Sequence, residues 1–113
     1  MNPFLVHLFH IIIVGSLFLY VGIVKDSIPI FIYPILLLFG IITILYHIFK
    51  AYKKIKLNKI PWVSYIHIFI IGPLLIWIGL NKNKTERFWF EILLMLGFAS
   101  IVYHGYYLFN EKK

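Results

Sequence analysis

At 113 residues the chain has room for one domain, and its 62% hydrophobic content against 13% charged residues excludes an ordinary water-soluble globular protein. With no cysteine it has no disulfide framework, thiolate metal site or cysteine nucleophile. The net charge of +7 raises nucleic acid as a partner, but the basic residues lie between and after long apolar runs, where anionic lipid headgroups are the fitting counter-charge.

Four apolar stretches run from Phe4 to Val24, Ile28 to Phe49, Trp62 to Leu80 and Phe88 to Phe109. Each approaches or exceeds the roughly 20 residues needed to cross a hydrocarbon layer of about 30 Å. The expected fold is therefore an all-α membrane protein with four transmembrane helices. Continuous runs of this length exclude the alternating short strands of a β-barrel. The first run is expected to be a span rather than a signal peptide, because no basic segment precedes it, no small-residue cleavage site follows it, and its pattern recurs in mid-chain.

The link Lys25-Asp26-Ser27 is short enough to make spans one and two an antiparallel hairpin, and 81–87 does the same for spans three and four. Lys50, Lys53, Lys54, Lys56, Lys59, Lys112 and Lys113 lie on one side. Lys25, Lys82, Lys84 and Arg87 lie on the other, offset by Asp26 and Glu86. The positive-inside rule then predicts that both termini are cytoplasmic. Pro34 and Pro73 fall inside apolar runs and are expected to bend their helices. Trp62, Trp89, Tyr33 and Tyr52 fall near span ends, where amphipathic rings suit the headgroup region, and Glu91 is expected to be interfacial.

The chain reads as two copies of one hairpin. A shift of 57 residues lays 6–50 on 63–107 without a gap and matches sixteen of forty-five positions. Among them are His10/His67, Gly15/Gly72, Gly22/Gly79, Lys25/Lys82, Gly40/Gly97, Tyr46/Tyr103 and His47/His104. Identities in residues that an isoleucine- and leucine-rich composition does not favour mark an internal repeat, here about 4–52 and 61–109 within a single membrane domain. Two spans per copy give both copies the same orientation, so they are parallel repeats related by an axis along the membrane normal.

Within each copy a glycine, a small hydroxyl residue and a histidine stand at i, i+3 and i+7: Gly40, Thr43 and His47, then Gly97, Ser100 and His104. A period of 3.6 places each set on one helical face, which is expected to meet protein, since an imidazole among lipid tails leaves polar nitrogens unsatisfied. Gly15 with Gly22, and Gly72 with Gly79, make a similar stripe for helix contact.

His10, His47, His67 and His104 are expected at one depth on the cytoplasmic side, with His7 as a fifth whose counterpart is Ser64. Three chemistries suit them. Converging imidazoles bind metals, and two bind haem b axially, with Gly40 and Gly97 giving the ring room. Histidines also hydrogen-bond across helices to residues such as Ser64, Thr43, Ser100, Tyr46 or Tyr103 and so choose one packing. Titrating histidines can line a proton or ion path, although the outer half of the chain offers little to continue it. No catalytic residues are assigned, and a non-enzymatic protein is the expectation. A homo-oligomer is compatible with the pattern.

The pattern His67, Gly72-Pro73, Gly79, Leu96-Gly97 and Tyr103-His104 resembles short hairpin-repeat membrane proteins of large DNA viruses and algae, some of which consist of one hairpin. The resemblance covers each copy, with Ser16 in the first where the second has Pro73, and it implies a membrane hairpin without implying an activity. The length is also that of the small four-helix multidrug transporters, but the buried glutamate of their first helix has no counterpart here.

Overall fold

The computed structural model describes residues 3–110, whose regular elements are helices, without a strand. Four helices are long and apolar enough to cross a membrane: α1 (Pro3–Ser27), α2 (Ile32–Lys56), α3 (Trp62–Lys84) and α4 (Arg87–Asn110).

The chain divides into two compact units, one of Met1–Ser27 with Glu86–Lys113 and the other of Ile28–Thr85. The first therefore pairs α1 with α4, and the second pairs α2 with α3. In each unit the helices run antiparallel. Gly15 meets Ile101 and Gly22 meets Leu94 in the first; Gly72 meets Ile44 and Gly79 meets Leu37 in the second. A short link makes two helices sequence neighbours, but the choice of packing partner belongs to the side chains.

The ends of the elements have local causes. After α2, Asn58 takes a left-handed conformation (φ 59°), the Lys59 N–H bonds the Lys54 carbonyl, and the Asn58 N–H bonds the Ile55 carbonyl. This is the Schellman stop, for which asparagine is among the few non-glycine residues suited, and Pro61 follows it closely. α1 and α3 each close on a short, tight turn whose first residue is a lysine at positive φ, 60° at Lys25 and 55° at Lys82. The Lys25 ammonium folds back to donate to the Gly22 carbonyl at 2.7 Å, satisfying a helix-end acceptor.

The expectation that Pro34 bends α2 is corrected. The segment from Ile28 to Phe31 stays outside the helix, so Pro34 lies in the first turn, where the missing N–H removes no intrahelical bond. Pro73 directly follows a widened turn in α3. That turn has another origin, because α1 carries the same turn with Ser16 in place of proline.

The buried apolar positions correspond between the two stretches of chain. Phe18 and Leu75, Val21 and Ile78, Tyr33 and Phe90, and Leu36 and Leu93 are all buried. Glycine sets how closely the paired helices approach. A Cβ on Gly22 would stand 2.7 Å from the Leu94 Cα, and one on Gly79 would stand 2.9 Å from both the Leu37 nitrogen and the Tyr33 carbonyl oxygen. These contacts include backbone, which cannot rotate aside, so any side chain forces the helices apart.

Candidate functional site

The four helices bring the histidines together in two groups, one in each unit. In α2 and α4 the histidine needs only the regular period. Gly40 and His47 are buried on one face of α2, as are Gly97 and His104 on α4, while Thr43 and Ser100 between them are half-buried.

In α1 and α3 the regular period would fail. Gly15 is five positions on from His10, and an α-helix would put them roughly 140° apart. Instead the segments His10–Val14 and His67–Ile71 are π-helical, with the Gly15 N–H bonded to the His10 carbonyl and the Gly72 N–H to the His67 carbonyl. The extra residue per turn takes back about 100°, so each histidine joins the face that carries the glycines. In both helices this same histidine donates from Nδ1 to the carbonyl four residues back, Val6 and Val63 respectively, at 2.8 Å. A carbonyl only accepts, so in each the proton sits on Nδ1.

The face so assembled stacks imidazole on imidazole. In the first unit the rings of His10 and His104 lie 4.1 Å apart, tilted by 22°. In the second, His47 and His67 lie 4.0 Å apart, tilted by 18°. A further group holds the buried member of each pair. His7 Nδ1 lies 2.8 Å from His104 Nδ1, one of the two donating, and the Ser64 hydroxyl lies 3.2 Å from His47 Nδ1. Tyr46 and Tyr103 sit edge-on to the adjacent His47 and His104 at 5.2 and 5.0 Å.

The expected role of Gly40 and Gly97, giving room to a haem, meets different neighbours. A Cβ on Gly40 would stand 2.8 Å from the Gly72 carbonyl oxygen, and one on Gly97 would stand 3.0 Å from the Phe18 Cβ, so the space beside each is filled by the paired helix. Axial ligation within a pair needs two imidazoles pointing end-on at an iron from opposite sides of the macrocycle. Rings stacked face to face at about 4 Å leave no such gap. Among the described residues, no group of three or more histidine, aspartate or glutamate side chains is arranged to hold a metal ion.

Glu91 accepts from the Arg87 Nε at 2.8 Å on an exposed face, one turn along α4. Sequence reasoning missed a row of lysines lying over aromatic rings at the end of α2. Lys50 sits over Tyr46, Lys53 over Phe49 and Lys56 over Tyr52, with each nitrogen 5.3 to 5.8 Å from the ring centroid. The i, i+4 spacing of aromatic and lysine was the available signal. No protein-family model, no curated protein and no solved structure matches this chain.

Proposed function

We propose that this is a small multi-pass integral membrane protein, non-enzymatic, built from two tandem copies of one helical hairpin. Its histidines serve to hold each pair of helices in a single register. Both termini lie on the cytoplasmic side, where the lysines of α2 and the C-terminus meet anionic headgroups.

The observation that carries this reading is the recurrence of one interface. His10 on His104 in the first unit has the partners of His67 on His47 in the second. Gly15 against Ile101 matches Gly72 against Ile44, and Gly22 against Leu94 matches Gly79 against Leu37. Every match is displaced by the same 57 residues as the sequence repeat. Each interface joins the first helix of one copy to the second helix of the other. Large apolar side chains such as Phe69, Val102 and Phe109 are exposed, as a lipid-facing surface requires and a water-facing one disfavours.

In such an interface a histidine supplies directional bonds where apolar contact alone favours no register. Interhelical hydrogen bonds in membranes contribute about 0.6 to 2 kcal/mol each, enough to select one alignment. The stacked geometry and the side-chain bonds between helices, His7 with His104 and Ser64 with His47, favour this role over ligation within either pair.

The test is to purify the protein made with haem available, together with His47→Ala and His104→Ala, and to record absorption spectra, metal content and thermal stability. The expected result is no Soret band, no stoichiometric metal, and a loss of about 1–2 kcal/mol in each variant. A Soret band that either substitution shifts or abolishes would replace the register role with a haem site. A pH-dependent proton flux in liposomes that both substitutions remove would replace it with a conductor.

A further inference from the structure

The two copies share the glycines and histidines of their paired faces, and among the positions where they differ is one exposed strip. In α2, Tyr46, Phe49 and Tyr52 are 46%, 60% and 60% exposed, and each carries the ammonium of the lysine four residues on. The corresponding positions of α4 keep the rings, as Tyr103, Tyr106 and Phe109, but not the three-lysine row. Tyr107 and Asn110 stand where Lys50 and Lys53 stand in α2. There Tyr107 instead packs its ring against Tyr103 and Tyr106 at 4.9 and 5.1 Å. The lysine row is thus no part of the recurring interface: from a half-buried Lys50 it winds around α2 to the exposed Lys53 and Lys56, away from the buried His47.

We infer that this strip, Lys50, Lys53 and Lys56 held over Tyr46, Phe49 and Tyr52, is a docking site for the phosphate of an anionic glycerophospholipid. The inference rests on the membrane reading above. At 1.5 Å per residue the 25 residues of α2 span about 37 Å, longer than a hydrocarbon core of about 30 Å, so its basic end emerges at headgroup height. Tyrosine rings are at home in that layer. A ring beneath each ammonium keeps the lysine along the helix wall, and its three N–H donors suit phosphate oxygens. Three cations within two turns favour a headgroup of net negative charge over a zwitterionic one.

The test uses the full chain. Native mass spectrometry of the detergent-solubilised protein with phosphatidylglycerol or phosphatidylcholine compares three proteins: the wild type, K50Q/K53Q/K56Q, and a control, K54Q/K59Q/K84Q, that removes the same charge off the strip. The strip variant is expected to lose phosphatidylglycerol retention by on the order of tenfold, and the control to stay within about twofold of wild type. Replacing the two rings that do not touch His47, F49L/Y52L, is expected to lower retention about threefold with every lysine present. Equal losses in the strip variant and control reduce the effect to net charge and overturn the site. No loss in the strip variant, or none on removing the rings, also overturns it. An alkaline wash of reconstituted vesicles separates the premise: release of the wild-type protein overturns the membrane reading and the site with it. Retention in the membrane with unchanged lipid binding overturns the site alone.

Discussion

At the scale of single residues, positions 57 apart isolate what one side chain contributes. Ile28 is buried, and its counterpart Thr85 is buried too, but the Thr85 hydroxyl has no hydrogen-bond partner. An unmade hydrogen bond costs more than an apolar group of the same shape, so T85V is expected to raise thermal stability in detergent by about 1 kcal/mol. Glycines give a contrast of opposite sign. Nothing lies within 4 Å of a Cβ built on Gly105, so G105A is expected to be neutral or stabilising by up to about 1 kcal/mol through helix propensity. G22L and G79L drive a side chain into the backbone of the paired helix and are expected to cost more than about 3 kcal/mol or to abolish folding. Equal tolerance of all three substitutions would show that the close approach contributes nothing to stability.

At the scale of elements, the spacing of Gly40 and His47, and of Gly97 and His104, made one face of α2 and one face of α4 legible, because both helices keep the regular period. The faces of α1 and α3 were hidden by the same assumption. A 3.6-residue period turns His10 away from Gly15, and only the π-helical segment brings them into line. Nothing in local composition announces that turn, and Pro73, the residue that invites blame, is absent from α1. Pro34 misled for a related reason: apolar content continues through 28–31, but the helix begins at Ile32. The π-helical segment amounts to one residue inserted into an α-helix, and this gives an unusual prediction. Deleting Ile12 absorbs the insertion and keeps the His10 and glycine faces aligned, so it is expected to cost no more than about 1 kcal/mol. Deleting Leu17, in regular helix, rotates the remainder of α1 by about 100° and is expected to prevent stable folding. The two deletion proteins are compared by thermal unfolding monitored by circular dichroism. Failure of both, or survival of both, contradicts the account of the widened turn.

At the scale of the whole molecule, the four long apolar helices were legible from composition and spacing, whereas the choice of helix partner was not. His47 offers the same glycine-bordered face to any antiparallel neighbour, and a three-residue link makes the neighbour in sequence the natural guess. The compact units instead pair α1 with α4 and α2 with α3, an exchange of partners relative to the order of the chain. The natural absence of cysteine makes that exchange testable in an otherwise unaltered chain. The direct measurement is oxidative cross-linking in membranes of the pairs H10C/H104C and H47C/H67C, whose rings stack across the two interfaces, with F18C/M95C as a control, since Met95 is 64% exposed. The account predicts intramolecular disulfides in both test pairs, seen as a mobility shift of the monomer, and none in the control. Absence of the shift in either test pair, or cross-links found only between chains, would contradict it.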